Sequence, residues 1–202
     1  MLVKICGLNP SRDVQICLDL NVNFLGFVFY NKSPRNITLP ELKILNTYKK
    51  KNSFFVAVTV NPSNEFIEHI KSVNFDYLQL HGSEDNNRIK EIKKKSSLKI
   101  IKAIKVNDIN DIELYKQFSE ADYILFDTPG MEKSIKFPRN LIKEIPKGKK
   151  FILAGGVSVD TVKNLVKLGI DFVDLSSSVE KYTGYKDHKK ITSFMKEINN
   201  EN

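Results

Sequence analysis

The chain has 202 residues, 41% of them hydrophobic, and 32 basic against 24 acidic side chains give a formal net charge of +8. That length suits one well-buried core, so a single domain over 1–202 is expected. Cys6 and Cys17 lie in different expected elements and offer neither a disulfide framework nor metal-ligand spacing, and no apolar run approaches the ~20 residues that cross a bilayer.

The first strand candidate covers 2–6 (LVKIC), behind an N-terminus without a basic leader, which fits a reducing cytoplasm and no membrane contact. Further apolar runs follow at 23–29, 53–60, 76–80, 98–104, 121–127, 150–154 and 171–175. Most are nearly continuous, the mark of strands buried on both faces. Between them the apolar residues adopt helical spacing: Val14, Cys17, Leu18; Leu42, Leu45; Phe66, Ile67, Ile70; Ile89, Ile92; Ile112, Tyr115; Val162, Leu165, Val166; and finally Ile191, Phe194, Met195, Ile198. Pro10, Pro40 and Pro62 stand where a first helical turn tolerates proline. The stretch 128–149 carries Pro129, Gly130, Pro138, Pro146 and Gly148 and leaves room for a helical turn or two only at Leu141 to Ile145.

Alternating strands and helices admit an open doubly wound sheet or a closed barrel. Reactive or glycine residues end several of the eight strands, and only closure brings all those ends onto one ring. The expected fold is therefore α/β, a single compact (βα)8 TIM barrel whose helix after strand six is shortened, since 202 residues are lean against the roughly 250 typical of such barrels. Lysine clusters at 49–51, 93–95 and 147–150 fall near helix ends or in the turns after them, where cations complement the helix dipole and stay hydrated. Nucleic acid would want basic residues interleaved with exposed aromatics, whereas most of the 13 Phe lie inside apolar runs. No nucleic-acid partner is expected.

Strand residues two apart share a face, so Lys4 and Cys6 both point into the barrel, with Gly7 beyond them allowing close approach. A cation beside a thiol raises its thiolate fraction, and Cys6 then serves as base or nucleophile, or fills the core as a small hydrophobe. Asp127 closes its apolar run at the same rim, as a general acid with a raised pKa or as a turn aspartate. Arg35, fixed after Pro34, either grips a carboxylate with its guanidinium or lies in water. Gln79 and His81 share a face of strand four, where His81 polarises a substrate oxygen or satisfies a neighbouring backbone group. His69 and His188 fall in helical stretches and read as surface residues. Gly155 and Gly156, before a helix opening near Ser158, face the next strand end at Ser176 and Ser177 and make a nest for phosphate. Neither histidines nor carboxylates cluster as metal ligands, so no metal is expected.

Taken together, KICGL at 4–8, GFVFYNKSPRNI at 26–37, LQLHGSE at 78–84, LFDT at 125–128, LAGGV at 153–157 and VDLSSSVE at 173–180 closely resemble phosphoribosylanthranilate isomerase of tryptophan biosynthesis, in order and over nearly the whole chain. The resemblance implies a cofactor-free Amadori rearrangement of N-(5-phosphoribosyl)anthranilate to 1-(2-carboxyphenylamino)-1-deoxyribulose 5-phosphate. It implies Cys6 as general base, Asp127 as general acid, Arg35 on the anthranilate carboxylate, Gly155, Gly156, Ser176 and Ser177 on the phosphate, and a substrate contact at Asp174. A monomer or homodimer is expected.

Three departures from the family pattern stand out. TPGMEKSIKF replaces the usual glycine-rich stretch after Asp127, Ser178 stands where glycine is common, and the third strand reads VAVTVN instead of VGVFVN. Two alternatives remain. One is a sister sugar-phosphate isomerase of the histidine pathway, which uses aspartate where Cys6 stands and needs a second phosphate nest. The other is a catalytically silent phosphate-binding barrel, since fold alone never establishes activity.

Overall fold

The computed structural model describes residues 1–129, 137–138, 140–148 and 150–200. Eight parallel strands close into one barrel in chain order: β1 (Leu2–Cys6), β2 (Phe24–Phe29), β3 (Phe54–Thr59), β4 (Tyr77–Leu80), β5 (Lys99–Lys105), β6 (Tyr123–Asp127), β7 (Phe151–Leu153) and β8 (Phe172–Leu175). Lys4 of β1 pairs with Asp174 of β8, which closes the ring and leaves no free edge. Each strand lies within a residue or two of its apolar run. The helices are α1 (Val14–Asp19), α2 (Leu39–Ile44), α3 (Asn64–Lys71), α4 (Asn86–Ser96), α5 (Ile109–Glu113), α6 (Val159–Lys167) and α7 (His188–Asn200). Between β6 and β7 the described residues hold only a 3-10 turn at Ile142–Glu144, in keeping with the prolines and glycines there. Gly130 and most of the atypical stretch after Asp127 lie outside the described residues.

Two expectations need correction. Only Pro40 sits in a first helical turn, behind a capping box of Thr38 and Glu41. Pro10 precedes α1 by a full turn, and Pro62 precedes the N-cap Ser63, whose hydroxyl accepts from the Phe66 N–H. The apolar pattern also missed a hairpin between β8 and α7, β9 (Glu180–Tyr182) with β10 (Tyr185–Lys186). Both strands are too short and polar to show periodicity. The hairpin turns on Gly184, at φ 81°, where a Cβ would come within 2.7 Å of the Pro34 carbonyl oxygen.

Strand alternation sorts the barrel into an outer and an inner core. Outward residues such as Val3, Ile5, Leu25, Phe27, Leu78 and Leu80 pack with the helices. The inner core is Phe24, Val28, Val56, Val58, Tyr77, Ile101, Ala103, Leu125, Ile152, Ala154, Phe172 and Cys6. Its N-terminal end is plugged by rings: Phe24 lies 4.7 Å from Phe172 and 5.2 Å from Tyr77, and Tyr123 lies 5.7 Å from both Tyr77 and Phe172. Such pairs add about 0.5–1.5 kcal/mol each beyond the area they bury. With that end sealed by apolar rings, the polar inward residues collect toward the C-terminal rim.

Candidate active site at the C-terminal rim

The inward positions of β1 and β8 are Leu2, Lys4, Cys6 and Phe172, Asp174. Lys4 is fully buried, and its ammonium donates to both carboxylate oxygens of Asp174 at 3.1 Å. Burying two ions costs several kcal/mol each unless they are well paired, so this pair is an expense that packing alone would not select. Gly26, opposite Cys6 in register, makes the space. A Cβ there would lie 3.1 Å from Lys4 Nζ and 3.2 Å from Cys6 Sγ. Ammonium and sulfur therefore share one small pocket. Burial pushes the Cys6 thiol above its ordinary value, with Lys4 pulling the other way. Burial likewise raises Asp174 against the pull of Lys4. At Lys4 burial acts to lower the pKa, but Asp174 and Cys6 outweigh it and hold the ammonium above its usual range.

Asp127 ends β6 in phase with the inward Tyr123 and Leu125. It is half-buried, and one carboxylate oxygen accepts from the Thr128 N–H at 2.8 Å. Burial pushes its pKa up to about 6, against the N–H of Thr128; the Asp174 charge adds to the rise, and Lys4 and Lys105 oppose it. The Lys4–Asp174 pair thus acts on both Cys6 and Asp127. Across the mouth, Gln79 and His81 follow Tyr77 on the inner face of β4. The Gln79 amide nitrogen meets His81 Nε2, and Gln79 Oε1 is buried without a partner among the described residues. Burial first, then the cations Lys4, Lys102 and Lys105, lower His81 to about 3. His81 is a neutral ring at pH 7, a hydrogen-bonding group rather than an acid.

Arg35 is neither free nor in water. Its guanidinium donates to both oxygens of Glu180 at 2.7 and 2.8 Å, a bidentate pair. Glu180 also takes Lys186 at 2.9 Å, and Lys186 reaches the Ser176 carbonyl at 3.0 Å. Burial would raise Glu180, yet Arg35 and Lys186 hold it below its usual range. The arginine stem packs where Gly7, at φ 76°, has no Cβ; one there would sit 2.5 Å from Arg35 Cδ. This places Arg35 beside the loop that follows Cys6, with one guanidinium nitrogen making none of these bonds.

Gly155 and Gly156 hold positive φ, 85° and 76°, a backbone that glycine adopts without steric cost. A Cβ on Gly155 would strike Thr128 Cγ2 at 2.6 Å, so this glycine pair abuts the residue after Asp127. Ser158 caps α6 directly beyond it. The Ser176 hydroxyl donates to the Cys6 carbonyl at 3.3 Å, joining the end of β8 to that of β1, and Ser177 opens the 3-10 turn that follows. All ten sequence-derived candidates thus lie on or beside one rim. His69 is exposed, as expected. His188 is only partly so and meets the buried Asp13 at 3.0 Å.

A family model described as N-(5'phosphoribosyl)anthranilate (PRA) isomerase matches residues 3–197. The chain belongs to the phosphoribosylanthranilate isomerase family. An N-(5'-phosphoribosyl)anthranilate isomerase of Brucella canis is 33% identical over 206 aligned residues, covering 97% of this chain and 93% of the relative. The phosphoribosyl anthranilate isomerase of Thermus thermophilus superposes with a TM-score of 0.88 at 23% identity over all of both chains, a likeness of fold. The isomerase solved with reduced 1-(o-carboxyphenylamino)-1-deoxyribulose 5-phosphate gives 0.84 at 30% identity over 99% of each chain. A Thermotoga maritima structure with the same figures is described as monomers generated from the dimeric isomerase.

Sequence reasoning left three rim residues out of the site. Lys105 was legible from KIIKAIK, where it keeps phase with the inward Ile101 and Ala103. Glu180 and Lys186 were not, because only the hairpin brings them to Arg35.

Proposed function

We propose that this protein rearranges N-(5-phosphoribosyl)anthranilate to 1-(2-carboxyphenylamino)-1-deoxyribulose 5-phosphate, with Asp127 as general acid and Cys6 as general base. The observation that carries this reading is a half-buried carboxyl at about 6 and a thiol packed beside an ammonium, both under the influence of one buried Lys4–Asp174 pair. Asp127 protonates the furanose ring oxygen, the C1–O bond breaks, and the nitrogen lone pair closes an iminium at C1. The Cys6 thiolate then takes the C2 proton. The C2–H electrons form the C1–C2 double bond as the iminium pair returns to nitrogen, giving an enolamine. Its C2 hydroxyl becomes the ketone as C1 gains a proton, so the sequence is redox-neutral overall.

With Asp127 at about 6, roughly a tenth of it is protonated at pH 7, against about a thousandth for an ordinary carboxyl. The Cys6 pKa lies higher still, so the working pair is thiolate with protonated acid. kcat/KM therefore rises with pH up to about 6, stays level while thiolate gained balances acid lost, and falls above the raised Cys6 value. Lys4 stabilises the thiolate when it forms. Arg35, oriented by Glu180, offers its remaining N–H groups to the anthranilate carboxylate. Gly155, Gly156, Ser176 and Ser177 hold the phosphate, remote binding that positions the sugar between acid and base. His81 hydrogen-bonds a sugar oxygen.

Purified protein supplied with phosphoribosylanthranilate should form the ribulose product, and should not turn over the two-phosphate substrate of the histidine-pathway isomerase. Turnover of the latter alone would overturn the assignment.

A further inference from the structure

We propose that Lys105 is a positioning residue for the acid step: its ammonium faces Asp127 across the β5–β6 pair and neutralises the carboxylate left when Asp127 gives up its proton. This rests on the reading of Asp127 as the acid. The placement follows from the strands. Lys105 is paired in register with Asp127, which sets their backbones about 5 Å apart. Both share the inward phase of their strands, Lys105 with Ile101 and Ala103, Asp127 with Tyr123 and Leu125.

The two other lysines near this wall are occupied. Lys102, one step out of phase, points outward and is buried against Glu84 at 2.8 Å and the Gly82 carbonyl at 2.6 Å. Lys4 is tied to Asp174, so at Asp127 the charges of that pair oppose one another. Lys105 is exposed and makes no ion pair among the described residues. From the packed elements Asp127 thus faces Lys4 from β1, Asp174 from β8 and Lys105 from β5, while His81, just past β4, is neutral. Lys105 is the cation of this set whose charge no described carboxylate cancels. Proton transfer to the ring oxygen turns a neutral carboxyl into an anion as the iminium forms, and a cation beside the anion favours that charge separation.

The test is kcat/KM against pH for wild type, Lys105→Met, Lys105→Gln and Lys105→Arg, with carbon-13 NMR titration of the Asp127 carboxyl in each protein. Loss of the cation disfavours the carboxylate, so in the Met and Gln variants the upper end of the ascending limb, where the rise levels off, and the carboxyl titration both move up, by about 0.5–1 pH unit. On the limb itself, where Asp127 is protonated in every protein, these two variants are several-fold slower. Lys105→Arg stays close to wild type. Unmoved limb and titration in Lys105→Met and Lys105→Gln, or a change confined to KM, would overturn the proposal. Asp127→Asn separates the two failures. If it abolishes turnover while the Lys105 variants leave the limb in place, only this inference fails; if it keeps wild-type turnover, the acid assignment itself is wrong.

Discussion

Asp127→Asn should make the protein more stable at neutral pH, because the fold holds an ionised carboxylate there at a cost. Burial lifts the Asp127 pKa from an ordinary 3.8 to about 6. The folded chain then binds the proton more tightly than the unfolded chain does. Below about pH 4 both states are protonated and nothing is lost; between about 4 and 6 the unfolded state ionises first and stability falls; above 6 the penalty is complete. A shift of about two units amounts to roughly 3 kcal/mol. Asparagine keeps an oxygen for the Thr128 N–H, the 2.8 Å bond of the wild type, and has no charge to bury. For a chain of this size the gain raises Tm by roughly 6–12 °C. Thermal unfolding of both proteins at pH 4, 6 and 8 checks this. A difference that opens with rising pH supports the argument; one that is constant with pH, or a variant less stable at pH 8, refutes it.

Other substitutions probe the neighbouring groups. Gly26→Ala puts a methyl 3.1 Å from Lys4 Nζ and 3.2 Å from Cys6 Sγ. It should cost about 1–3 kcal/mol of stability and slow turnover at least tenfold, and unchanged values of both would show that the space is not needed. Glu180→Gln leaves Arg35 and Lys186 as facing cations without their shared anion, so KM should rise at least tenfold with kcat largely kept; an unchanged KM would remove Arg35 from carboxylate binding. Ser178 carries a buried hydroxyl with no partner among the described residues. Ser178→Ala should therefore stabilise the fold by about 1 kcal/mol, and a loss in urea unfolding would reveal a bond that this structure lacks.

The barrel was legible because buried parallel strands announce themselves as apolar runs, and the inward phase of Lys4, Cys6, Gln79, Asp127 and Asp174 follows from counting by two along each run. Partnership was not legible. Nothing in the spacing of Arg35, Glu180 and Lys186 links them, since their contacts span a hairpin of seven residues, Glu180–Lys186, and a loop from the far side of the chain. The same holds for the Lys4–Asp174 pair, which exists only because β8 returns to β1. Helix starts were misjudged at Pro10 and Pro62 because proline also suits the turn before an N-cap, and Ser63 is the residue that caps α3.

The most direct test of the acid–base assignment is the turnover of Cys6→Ala and Asp127→Asn on phosphoribosylanthranilate at pH 7, with circular dichroism confirming a folded barrel. Each should lose on the order of a hundred to ten-thousandfold in rate, the usual worth of a positioned acid or base. Wild-type turnover in either folded variant would contradict the role given to that residue.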